Sequence, residues 1–170
     1  MIILITGLPG SGKSTFAKIL KEEGFKVIEM GNIARALAKK EKMNVDEFSR
    51  MVRKKYGKTF YAKRVAELVR KSKRKNFAIS GLRSLEELEE LRKLDKKAKL
   101  IAIVAPKELR YKRLSKRKRK TQKEIEARDK KEIAFGMDKL IKNADFIIAN
   151  TSTKEELKRN ALFLLKYLKK

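Results

Sequence analysis

The chain has 170 residues, with 47 Lys and Arg against 21 Asp and Glu, a formal charge of +26 and no His or Cys. That length fits one domain with a single core, and an apolar fraction of 42% is enough to fill it, so the charge does not mean disorder. Without Cys or His there are no disulfides, thiolate nucleophiles, imidazole bases or Cys- and His-ligated metals. Chemistry is left to Lys, Arg, carboxylates, hydroxyls, backbone dipoles and Mg²⁺.

The first element is an apolar run, Met1 to Thr6, too short for a signal-peptide core and leading directly into a Gly-rich turn. No apolar run approaches the roughly 20 residues of a membrane span, so a cytoplasmic location without membrane contact is expected. Residues Gly7-Leu8-Pro9-Gly10-Ser11-Gly12-Lys13-Ser14-Thr15 then match G-x-x-x-x-G-K-[ST], between a strand and a helix carrying Phe16, Ala17, Ile19 and Leu20. Glycines let successive backbone N–H groups turn inward on a phosphate, and the helix that follows adds its positive end. In such a loop Lys13 bridges the β- and γ-phosphates of ATP, and the Ser14 hydroxyl completes a Mg²⁺ shell.

Further apolar runs follow at Val27-Ile28, Phe77–Ile79, Leu100–Val104 and Phe146–Ala149, apolar on both faces as strands of a covered parallel sheet should be. Helices between them announce their starts. Ser84 to Glu87 and Thr153 to Glu156 read as capping boxes, and Asn44 to Glu47 and Thr121 to Glu124 as two more helix starts. Leu85, Leu88 and Leu91 make one buried stripe, and Tyr56, Phe60 and Tyr61 read as helix core rather than a base-stacking platform. Alternating strands and helices predict a single three-layer α/β/α domain over 1–170 with a five-stranded parallel sheet. Residues 31–75 are too many for one crossover and predict about three helices, an arm projecting from the sheet. Residues 106–142 predict a basic helix, a break near Lys120–Thr121 and another helix, together a lid. The positive charge sits in these two places. Residues 50–75 hold 12 Lys and Arg against one acid, Glu67, and residues 107–120 hold nine against Glu108.

No guanine-reading N-K-x-D is present, and the length argues against an AAA or helicase core. The phosphate loop, Val27–Arg35, Ser80–Ser84, Arg110–Leu114, Arg128-Asp129 and Ala144–Asn150 together resemble the small archaeal P-loop kinase family related to adenylate kinase and dephospho-CoA kinase. The resemblance covers nearly the whole chain. It implies a nucleoside-monophosphate-kinase-like fold, an acceptor arm, a short lid, and transfer of the ATP γ-phosphate to a nucleoside monophosphate or nucleotide-like acceptor. It also implies lid arginines Arg113, Arg117 and Arg119 on the phosphates, Arg128 behind them, Asn150 against the adenine, and Gly31, Asn32, Arg35 and Arg83 toward the acceptor. Two positions depart from the pattern. Ser80 stands where relatives end the third strand with an Asp that organises Mg²⁺, and Asn32 stands where they carry an Asp, so Mg²⁺ binding is expected to weaken unless Glu29 compensates. The charge also leaves open a catalytically weak ATP-binding switch, or a factor that meets RNA through its basic surface.

Overall fold

The computed structural model describes residues 1–118 and 121–169, without the side chains of Arg117 and Lys118. The elements run β1 (Ile2–Thr6), α1 (Lys13–Glu22), β2 (Lys26–Glu29), α2 (Met30–Lys40), α3 (Val45–Tyr56), α4 (Phe60–Arg70), β3 (Phe77–Ser80) and α5 (Leu85–Arg92). They continue with β4 (Lys99–Val104), α6 (Lys107–Lys118), α7 (Gln122–Ala134), α8 (Met137–Lys142), β5 (Phe146–Ala149) and α9 (Lys154–Leu168). The sheet order is β2-β3-β1-β4-β5, and each neighbouring pair is parallel.

Alternation along β1 divides the core in two. Ile2 and Leu4 face α2, α3, α4, α5 and α8, joining Ile79, Tyr61, Val65 and Leu91. Ile3 and Ile5 face the other way, onto Phe16 and Leu20 of α1 and Leu157, Ala161, Leu164 and Leu165 of α9. The chain crosses from β3 over β1 to β4, which opens a crevice at the carboxyl ends of β1 and β3, where ligands of open α/β sheets bind. Among the described residues no helix is long and apolar enough to cross a membrane.

Three expectations need correction. Helices α2–α4 do not project from the sheet: Ala34, Ala38, Phe48, Val52, Tyr61 and Val65 are buried in the same cluster as Ile2 and Ile79. Tyr61 is core, whereas Tyr56 is 53% exposed and stacks on the half-buried Phe60. Strand β5 is not covered on both faces, because it is the sheet edge; Ile147 is 59% exposed. Of the helix starts, Thr121 and Glu124 form a complete capping box. At α5 only half forms. Ser84 accepts from the Glu87 backbone N–H, but the Glu87 carboxylate accepts from the Arg83 N–H and meets Arg53 at 3.4 Å.

That diversion matters for stability. Glu87 is buried, and burial pushes its carboxyl above the ordinary value while the Arg53 guanidinium pulls it back. Arg53 itself lies over the rings of Tyr61 and Phe135, 5.1 and 5.0 Å from their centroids, tying α3 to α4 and to the end of α7. Arg53→Ala should therefore cost about 3 kcal/mol in denaturant unfolding, since it strands a buried carboxylate. Arg53→Ala with Glu87→Gln should recover part of that loss; no recovery would show that the ring contacts, not the charge pair, carry the effect.

Candidate phosphate site

The loop between β1 and α1 is closed by contacts that a side chain at its glycines would break. Gly12 has φ +110°, and a Cβ there would stand 2.1 Å from the Asn150 amide nitrogen; at Gly10, φ +80°, it would stand 2.8 Å from the Arg110 carbonyl. Helix α1 starts at Lys13 with no side-chain cap and no acid in its first turn, so its positive end is left for an external anion. The Ser11 hydroxyl is buried without a hydrogen-bond partner. Lys13 donates to the loop's own carbonyls, Gly7 O at 2.5 Å and Leu8 O at 3.0 Å. Pro9 O and Gly10 O are taken by arginines of α6, and Ser14 is exposed at the loop's outer side. Thr15 follows, half-buried.

Charges converge on Lys13. Burial lowers its ammonium from 10.5 to about 8, Glu132 opposes that shift, and Arg128, Arg83 and Arg110 add to it. Arg83 leaves β3 at the crevice and meets Glu132 at 3.1 Å, rather than the nearby acids of α5. Arg128 lies one helical turn before Glu132 and meets it at 3.9 Å. Arg110 is 4% exposed; its guanidinium donates to both Asp129 carboxylate oxygens, at 3.0 and 2.6 Å, and to Pro9 O at 3.0 Å. Sequence reasoning gave no role to Arg110, Asp129 or Glu132. Arg110 and Asp129 entered only as part of the motifs that carry the resemblance, and the only advance signal for Glu132 was the rarity of acids beside so many cations.

The expected lid arginines separate. Arg113 reaches the loop, donating to Gly10 O at 3.4 Å and Asn150 O at 3.2 Å. The Arg117 side chain and all of Arg119 lie outside the described residues. Asn150 is at the loop as well. It is 7% exposed and its amide donates to Ser11 O at 2.7 Å, so it braces loop backbone.

On the other flank, Gly31 lies beside Gly81 at the exit of β3, and the Arg35 guanidinium donates to the Asn32 side-chain oxygen. Ser14, Glu29 and Asn32 line one groove of about 700 Å³, with Lys18, Lys21, Lys26 and Arg74 along it. Glu29 is the register partner of Ser80, so a carboxylate stands on the strand next to the one that lacks it. No group of three or more acids that could hold a metal without substrate oxygens occurs among the described residues.

Comparison with known proteins agrees with this geometry. An AAA domain family matches residues 3–134. A UPF0200 protein of Sulfurisphaera tokodaii is 41% identical, covering 97% of this chain and 96% of its own. One from Methanothermobacter thermautotrophicus is 31% identical over 99% and 90%. Among solved structures, TT1252 from Thermus thermophilus superposes with a TM-score of 0.73 at 21% identity, covering 99% of this chain and 97% of that one. The dephospho-CoA kinase of Campylobacter jejuni gives 0.58 at 20%, covering 98% and 96%; both likenesses speak to fold. With relatives aligned along almost its whole length and a kinase-type sheet around its phosphate loop, the chain belongs to the UPF0200 family of archaeal P-loop kinase-like proteins.

Proposed function

We propose that the protein is an ATP-dependent phosphotransferase that moves the γ-phosphate of ATP to a nucleoside monophosphate or a nucleotide-like acceptor. The observation that carries this reading is a glycine loop leading into a helix end with no cap and no acid, with Arg83 and Arg128 gathered on Glu132 and all three charges acting on Lys13. One phosphate chain on the loop and a second phosphate group between the arginines would neutralise that charge, and phosphoryl transfer needs little more than positioning and electrostatics.

The residues fit the donor. The orphaned Ser11 hydroxyl and the uncapped first turn of α1 offer donors where ATP phosphates would lie, and Gly7 to Thr15 supply the cradle. Mg²⁺ would be held by the Ser14 hydroxyl and phosphate oxygens, and when bound it would neutralise charge developing on the transferred group. Glu29, in the same groove, would supply the negative charge toward the ion that Asn32 and Ser80 lack. Arg113 steadies the loop from the lid side, while Gly31, Asn32 and Arg35 form the acceptor's wall.

The test is ADP formation from Mg·ATP against a panel including AMP, the other nucleoside monophosphates and dephospho-CoA. Turnover with at least one acceptor, and a raised Mg²⁺ requirement in Glu29→Gln, are expected. ATP binding with no ADP above background for any acceptor would instead support the switch reading. The basic groove beside Ser14 gives that reading its one specific support. An RNA ligand there would show affinity falling linearly with log salt.

A further inference from the structure

Glu132 is out of place in an anion site. It projects from α7 into the cation cluster with only 7% of its side chain exposed, and its charge acts on Lys13. A bare carboxylate there subtracts from the field that attracts phosphate, so it must return something for that cost. Its contacts show what. Oε2 lies 3.1 Å from Arg83 Nε, in ion-pair rather than hydrogen-bond alignment, and Oε1 lies 3.9 Å from Arg128 Nε. Nε is the inner donor of a guanidinium. A carboxylate on that side leaves the outer edge, Nη1 and Nη2, to a second anion.

The two arginines come from different places, one from the turn after β3 and the other from α7, and they carry like charge. Their side chains are 30% and 38% exposed, so without a shared partner they would sample many rotamers and repel one another. Asp129, next in the chain to Arg128, is committed to Arg110 and cannot serve both. Glu132 is thus the common counter-charge.

We propose that Glu132 is a positioning residue that grips Arg83 and Arg128 from behind, so that their outer N–H groups present one fixed cradle to the phosphate of the acceptor. This rests on the reading that the crevice takes a phosphate-bearing acceptor. Pre-orientation removes the cost of freezing two rotamer-rich side chains when the acceptor arrives. It also links the β3 exit to α7, so both walls of the crevice are set by one carboxylate.

The experiment is calorimetric titration of inorganic phosphate, and separately AMP, into protein saturated with Mg·AMP-PNP. Glu132→Gln keeps the volume and loses the charge; it should weaken phosphate about ten-fold, several times more than it weakens AMP-PNP. Glu132→Asp, with the charge kept but withdrawn, should fall between. In an Arg83→Ala background the Glu132→Gln penalty should shrink to about two-fold or less, because the residue acts through that arginine. Equal phosphate affinities across the series, tighter binding in Glu132→Gln, or an undiminished penalty in the Arg83→Ala background each overturn the proposal. Unaltered protein that binds AMP-PNP but neither phosphate nor AMP overturns it as well, leaving the donor site standing. Unaltered protein that binds no AMP-PNP overturns the functional reading and the proposal with it.

Discussion

Lys13→Ala should lower the proposed phosphotransfer about 10²–10³-fold, the usual loss when a preorganised donor to developing charge is deleted. ATP affinity should fall with it, which calorimetry on the same variant would measure. The position of this lysine also sets a pH dependence that an exposed lysine would not give. Burial and three neighbouring arginines hold its ammonium down to about 8. Phosphate needs the charged form, so ATP affinity should be flat below about pH 7.5 and fall toward ten-fold per pH unit above about pH 8.5. Bound phosphate raises the same group, so binding near pH 8 should take up a proton, visible as heats that vary with the buffer's ionisation enthalpy. The stability effect has the opposite sense. The folded chain binds this proton more weakly than the unfolded chain, so the group's contribution to stability rises with pH between about 8 and 10.5. An ATP affinity that is level up to about pH 9.5 would mean that Lys13 does not meet the phosphates.

The phosphate loop could be read from the sequence because every part of it is contiguous. A strand, a glycine turn and a helix start follow one another, and local rules suffice for each. The strands were equally plain, being short β-branched runs in a chain whose polar residues are mostly charged. Legibility ends where a residue's meaning depends on a distant partner. Arg110 and Asp129 meet across the break between α6 and α7, and with 47 cations in the chain nothing local marks Arg110 as buried and Lys112 as exposed. Asn150 shows a milder limit. Its place after β5 puts it near the loop, but that its amide would lie against Gly12 and brace Ser11 O could not be read locally. The charge itself divides the same way. The basic segments at 50–75 and 107–120 look uniform, but Arg53 and Arg110 within them are structural struts, held by Glu87 and Asp129.

Asp129→Ala should be the most damaging single change to stability outside the apolar core. The Arg110 guanidinium is 5% exposed and Asp129 10%, and removing the acid leaves a buried cation with only Pro9 O as an acceptor. Breaking such a pair costs about 3–5 kcal/mol, and near 2–4 °C per kcal/mol the melting temperature should drop by about 10 °C. Asp129→Asn keeps an acceptor oxygen but not the charge and should lie between. Loss of stability and loss of the site can then be separated. Replacing the pair by apolar residues of similar size, Arg110→Met with Asp129→Leu, leaves no uncompensated charge and should regain most of the stability. It cannot regain the bond to Pro9 O, the shorter of the two arginine contacts that hold the phosphate loop against α6. The double variant should therefore melt near the unaltered protein yet bind ATP more weakly. If Asp129→Ala costs under about 1 kcal/mol, Arg110 has found water and the strut is dispensable. If the double variant regains ATP affinity together with stability, the pair serves folding alone and the loop holds its shape without it.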